Sequence, residues 1–323
     1  MQNSNPIQVV SRVPGLWGSL LVLIGFVLIG MAVGNILAVM LIALYMKIDP
    51  DNITTILNQL ITNPVGVKNG WYALMLLQGT VHFFSYLLPS LIFWIYVERK
   101  SISEFDFREK PAFRIWLLAV LLVLVSIPVN SKFIEWNAAM KLPEAFSALE
   151  LWMRDKEDQL SVMTAFMTNY KQFSQLLIAL LIVVLLPALG EEVLFRGIIQ
   201  RKLVSAWQNY HLGIWVAAAI FSAIHFQFYG FLPRMLLGAL FGYLYYWTGN
   251  LWVAILAHFV NNGFVLVMMY LNNIGVVNID IEETKSMPVM LVLSSLLVTS
   301  GMLFSIWKAG ETKRHAVLTD NEF

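Results

Sequence analysis

The chain is predicted to be an all-α, polytopic membrane helix bundle with about eight transmembrane helices, and three observations predict it. Hydrophobic residues fill 59% of the 323 positions and charged residues only 13%, against about 25% charged in average soluble domains. The mean hydropathy is +0.70. The apolar residues also gather into runs long enough to span a bilayer, for which a helix needs about 20 residues. A net charge of +1 gives no electrostatic reason to expect a nucleic-acid partner; the expected surroundings are lipid. The absence of cysteine excludes disulfides, thiolate zinc sites and a cysteine nucleophile together.

Taken in order, the first run covers 16–46. It is much longer than a signal-peptide core of about 7–15 residues, so an uncleaved anchor is expected. Further spans are expected at 71–97, 115–129, 173–199, 212–226, 233–247, 251–271 and 287–307. Pro89 and Pro187 lie inside spans and should kink them. Gly30 with Gly34, and Gly238 with Gly242, are small-residue pairs that let helices approach closely. After Asn52, a good helix cap, Ile53, Ile56, Leu57, Leu60 and Ile61 recur at helical spacing. The stretch 143–171 mixes Phe146, Leu149, Leu151 and Trp152 with charges. Both stretches predict surface helices; the second is read as an interfacial anchor in preference to a lid. No repeat or linker interrupts the chain, so residues 1–323 are expected to form a single integral membrane domain.

Basic residues test the count. Arg99, Lys100, Arg108, Lys110 and Arg114 fall between the second and third spans, Arg201 and Lys202 after the fourth, and Lys308, Lys313 and Arg314 after the last. The opposite side collects Glu135, Glu144, Glu150, Asp155, Glu157, Asp158, Asp280, Glu282 and Glu283. By the positive-inside rule both termini are expected in the cytoplasm, and the expected location is the bacterial plasma membrane.

Most charges stay in loops. The exceptions are Glu191, Glu192 and Arg196, directly after an apolar run, and His225, His258 and Asn262 on the following spans. A charged residue at a helix centre costs about 2.5–3.5 kcal/mol on insertion scales, so such groups are expected to be paired, wet or functional. Glu192 and Arg196 share a helix face, which predicts a structural ion pair. Glu191 points about 100° away and has no partner on its own helix. Phe221 with His225, and His258 with Asn262, are likewise four apart; Phe221 is expected to pack. Pro187 and Gly190 allow a small wet pocket beside the acids. There a carboxylate is a general base, a histidine shares that role or donates a hydrogen bond, and Asn and His line an oxyanion hole. The set suits water activation and peptide hydrolysis without a covalent nucleophile. No cofactor is expected; the alternative is a zinc site on Glu191, His225 and His258. A lone histidine such as His82 is read as packing, His211 as interfacial and His315 as part of the tail. Depth is the discordant point: His225 is about 22 Å along its span, whereas Glu191 is only about 15 Å from Arg201 and His258 about 12 Å from Asn250.

Glu191-Glu192-x-x-x-Arg196, then Phe221-x-x-x-His225, then His258-x-x-x-Asn262 resembles the motif set of the CAAX-protease and bacteriocin-processing family, also called the abortive-infection family. The resemblance covers roughly 173–270. It implies an eight-helix intramembrane endopeptidase with its catalytic core in 173–270. In that family the first Glu and first His activate water, which carries over to Glu191 and His225. The second His and the Asn stabilise the oxyanion, which carries over to His258 and Asn262. A peptide or membrane-protein substrate follows. The competing classes are a proton-coupled transporter, which also uses intramembrane Glu and His, and a non-catalytic membrane scaffold.

Overall fold

The fold is described from a computed structural model covering residues 15–106, 110–278 and 287–320, with 312–320 as helix backbone alone. Arg108, Asp280, Glu282, Glu283 and the side chains of Lys313, Arg314 and His315 lie outside the described residues. Every described element is helical. In chain order they are α1 (Leu16–Met46), α2 (Ile53–Thr62), α3 (Gly70–Val97), α4 (Phe113–Ala138), α5 (Ser147–Thr168), α6 (Phe173–Trp207), α7 (Tyr210–Ala223), α8 (Phe231–Thr248), α9 (Leu251–Asn273) and α10 (Val289–Asp320). The chain is an integral membrane protein. Six described helices are long and apolar enough to cross a bilayer: α1, α3, α4, α6, α9 and α10 up to Glu311. The count of about eight is not reached on that measure. Helix α7 has 14 residues, about 21 Å at 1.5 Å each, short of a hydrocarbon core about 30 Å thick. Helix α8 carries Arg234 and three tyrosines, which a helix enclosed by its neighbours tolerates better than one facing lipid.

Burial orders the bundle. The most apolar stretches of α1 and α10 are 11% buried, that of α9 is 44%, so α9 is central and the two terminal helices face lipid. The largest apolar cluster joins α3, α4, α6, α8 and α9 through Phe93, Trp94, Leu122, Phe195, Phe241 and Val253. Both glycine pairs mark close approach. A Cβ at Gly34 would lie 2.8 Å from Phe84 Cβ on α3, and one at Gly242 would lie 2.6 Å from Gln200 Oε1 on α6. Pro89 and Pro187 follow wide π-helical turns at Phe83–Leu87 and Leu180–Leu185, which accommodate the missing N–H within otherwise continuous helices.

Contacts gather the basic loops at one end. Lys202 Nζ donates to Glu98 Oε1 at 2.6 Å, Arg201 to the Glu104 carbonyl, and Ser19, near the start of α1, donates to Glu98 at 2.8 Å. At the other end lie the surface helices. Asn52 precedes α2 as expected, but its side chain makes no capping hydrogen bond. Helix α5 packs on the loop between α7 and α8: the Trp152 and Phe228 rings are 5.6 Å apart, and Arg154 lies 4.3 Å over the Tyr229 ring.

Candidate active site

Helix α6 supplies the acids. A second π-helical stretch, Glu192–Gln200, begins immediately after Glu191. Glu192 and Arg196 are 0% and 1% exposed. Arg196 Nη1 donates to Glu192 Oε1 at 2.8 Å and its Nη2 to the Gly238 carbonyl at 2.9 Å, while the guanidinium lies 4.6 Å over the Phe221 ring. The expected ion pair is therefore present, with α8 and α7 completing its surroundings. One further contact changes its meaning: the same Glu192 oxygen accepts from His258 Nδ1 at 2.8 Å. Glu192 orients a histidine of the cluster as well as balancing Arg196.

That bond fixes a tautomer. A carboxylate only accepts, so His258 carries its proton on Nδ1, and the neutral ring presents the Nε2 lone pair. Asn262 Nδ2 donates to that nitrogen at 3.1 Å, and Asn262 Oδ1 accepts from Asn261 at 3.0 Å. Phe241 stacks on the His258 ring at 5.2 Å. His225 follows the same logic: its Nδ1 donates to the Phe221 carbonyl at 2.8 Å, which leaves Nε2 as an acceptor. His225 lies past the end of α7, and Phe226, in the left-handed region at φ 52°, reverses the chain behind it. Asn137 of α4 clamps this loop, donating to the Phe228 carbonyl at 3.3 Å and accepting from Leu232 N at 2.7 Å.

Around Glu191 three imidazoles converge. His258 Nε2 is 3.8 Å from its carboxylate, His82 Nε2 3.9 Å and His225 Nε2 4.0 Å. These separations exceed a hydrogen bond. Glu191, His225, His258 and Asn262 line a cavity of about 450 Å³. The structure thus brings together all four residues singled out in the sequence.

Sequence reasoning missed His82, which stacks on Tyr86 at 4.5 Å with its buried Nε2 unbonded among the described residues. Gly190 leaves the room its ring occupies, since a Cβ there would lie 3.3 Å from His82 Nε2. It also missed Asn137, Asn261 and Arg234, which are unremarkable in sequence. His211 instead bonds Tyr243 at 2.7 Å, away from the cluster. The discord in depth resolves because α6 runs on to Trp207. Glu191 lies about 24 Å before that end and His225 about 22 Å beyond the start of α7, so the two are level.

Among the described residues no three His, Asp or Glu side chains are grouped to hold one metal ion. The gaps to Glu191 are also wider than the roughly 3.3 Å between ligands bound tetrahedrally at about 2.0 Å.

Residues 173–264 match a family model described as Rce1-like, type II CAAX prenyl endopeptidase. Members of that family are CAAX prenyl endopeptidases, that is, peptide hydrolases. A protein of Bacillus subtilis (strain 168), "Uncharacterized protein YpbD", is 38% identical over 97 residues, which cover 28% of this chain and 47% of that protein. The chain therefore spans about half the length of that curated relative. No solved structure matches.

Proposed function

We propose, from the premise that residues 173–264 form an Rce1-like domain of the CAAX endopeptidase family, that this protein is an intramembrane endopeptidase that hydrolyses a peptide bond with water activated at Glu191. The observation that carries the reading is the cluster itself: three imidazole nitrogens lie 3.8–4.0 Å from one carboxylate at a cavity wall. The whole chain is taken as a single membrane domain, with 173–270 as its core and the basic end in the cytoplasm.

His225 turns a proton-free Nε2 toward Glu191, whereas the Nε2 lone pair of His258 already accepts from Asn262. A water in the gap donates one hydrogen to Glu191 and another to an imidazole, leaving an oxygen lone pair for the scissile carbonyl. Glu191 takes the proton as the C–O bond forms and returns it to the leaving amine. The second amide hydrogen of Asn262, the one not given to His258, is available to the developing oxyanion. This refines the assignment by resemblance: neutral His258 offers no Nε2 hydrogen to the oxyanion and instead holds Asn262 in place, and Glu192 is its supporting acid.

The test uses purified protein in heavy-oxygen water with a cleavable membrane peptide. One-step hydrolysis places solvent oxygen directly in the new carboxylate and continues in the presence of a strong chelator. An acyl-enzyme trapped on Ser or Thr would overturn the mechanism. Loss of activity on chelation, restored by zinc alone, would establish the zinc alternative on Glu191, His225 and His258.

A further inference from the structure

The cavity that holds Glu191 is closed toward the basic end of the molecule. In that direction the site is followed by Glu192, Arg196 and Gln200 of α6, Phe241 and Leu244 of α8 and Ala254 of α9, all of them buried. From Glu191 to Gln200 this seal is about 14 Å deep at 1.5 Å per residue. Toward the opposite end the wall is made by residues near the other ends of their helices. Asn130 and Ile134 stand in the last third of α4, His225 just past α7, and Gly230 and Arg234 at the start of α8. Ile134 is 37% exposed, and Asn130 and Gly230 are half-buried, as is Gln78 of α3 in the same wall. The loop between α7 and α8 turns level with the site, while α6 and α9 run on past it.

Helix α5 crosses that open end. Its first half rests on the α7–α8 loop through Trp152 and Arg154. Its last residues are held by α3 and α9: the Met167 carbonyl accepts from Trp71 Nε1 at 2.9 Å, and the Thr168 carbonyl from Asn273 Nδ2 at 2.7 Å. None of its residues is buried. A strap fixed at both ends leaves passage for an extended chain and not for a folded domain. The short basic loops put the closed end in the cytoplasm. We propose that the cavity opens on the extracytoplasmic side, and that its substrate is an unfolded stretch of a membrane-anchored protein on that side; the inference rests on the endopeptidase reading. Depth selects an anchored substrate. Glu191 is about 15 Å from Arg201 and about 24 Å from Trp207, at or beyond the middle of a hydrocarbon core about 30 Å thick. A chain already held in the bilayer brings the residues beside its span to that depth. A soluble peptide would have to move its polar backbone out of water to reach it.

The chain has no cysteine, so single cysteines report access without background. Asn130→Cys places one in the cavity wall, and Ser205→Cys one at the exposed basic end. Full-length protein in spheroplasts of expressing bacteria is treated with a membrane-impermeant maleimide before and after permeabilisation. Asn130→Cys should label as fully before as after, and Ser205→Cys only after. Variants are scored on protein with the wild-type melting temperature, and Ile134→Cys at the cavity rim replaces Asn130→Cys if that variant fails to fold. In the same membrane, new peptide termini made by wild type and lost with Glu191→Gln should lie on the extracytoplasmic side of membrane-anchored proteins. Labelling of the cavity cysteine only after permeabilisation, or not at all, would overturn the proposed access, and so would labelling of Ser205→Cys in intact spheroplasts. Glu191-dependent termini on the cytoplasmic side, or in proteins without an anchor, would overturn the proposed substrate. Outer labelling with no Glu191-dependent termini contradicts only the endopeptidase reading, because labelling needs no turnover.

Discussion

At Glu192 one oxygen accepts from Arg196 and from His258, each at 2.8 Å, while the other is buried without a hydrogen-bond partner among the described residues. Replacing this acid by Gln strands Arg196, and breaking a buried pair costs about 3–5 kcal/mol. Because Glu192 also fixes the His258 tautomer, Glu192→Gln should lower both melting temperature and activity per folded molecule. Apolar replacement of Glu192 and Arg196 together should recover much of the stability and little of the activity. Thermal unfolding measured beside turnover on folded protein checks this; full activity in the double variant would show that His258 needs no orienting acid. At this scale Glu191, Glu192, Arg196, His225, His258 and Asn262 were legible because polar groups in apolar runs are costly and fall at helical spacing. His82 was not, since nothing in α3 marks the face that meets α6. Arg234 was not either, because it lies in the first turn of a span, where basic residues ordinarily reach for the interface.

Among the elements, the contact between α6 and α8 sets the site's precision. The Gly238 and Gly242 carbonyls accept from Arg196 and Gln200, the latter at 3.1 Å, and a Cβ at Gly242 would also meet Ile214 Cγ2 at 2.9 Å. Gly242→Leu is expected to destabilise by about 1–3 kcal/mol, the usual cost of overpacking; unchanged thermal stability would show that the helices do not approach this closely. The glycine spacing was visible in sequence, but its specific use, freeing two carbonyls for side chains of α6, was not. The wide turns were only partly legible. Proline signalled a local change in α3 and α6, while the π-helical stretch after Glu191 has no such marker and depends on tertiary packing. The end of α6 at Trp207 was invisible because Arg201 and Lys202 look like the end of a span, although Lys202 is held by Glu98 of the α3–α4 loop.

For the whole molecule, the basic end is tied together through Glu98. Burial pushes its carboxyl up, but hydrogen bonds from Lys202 and Ser19 and the charges of Lys202 and Lys100 outweigh that and hold it below the usual range. A group whose pKa is depressed on folding stabilises above its unfolded value, about 4.3 for Glu, and that contribution disappears as pH falls through the folded value. Wild type and Glu98→Gln should therefore differ most in melting temperature at neutral pH and converge on acidification below about pH 4. Parallel curves at all pH values would exclude the tie. The polytopic all-α class was legible from composition and run length alone. The number of crossings was less so, because α7 is only 14 residues long although Leu212, Trp215 and Ile220 on it are exposed, and α8 is enclosed by other helices and need not be as apolar as a lipid-facing span. Convergence of α3, α6, α7 and α9 on a cavity about 450 Å³ in volume is a property of the assembled bundle. Water activation at Glu191 is tested most directly by sequencing new peptide termini in the protein's own membrane, with wild type compared against Glu191→Gln at equal abundance and equal melting temperature. The proposed mechanism predicts cleavage products present with wild type and reduced at least about a hundredfold with Glu191→Gln, the lower range for losing a general base. Identical sets of termini at similar levels from both proteins would contradict it.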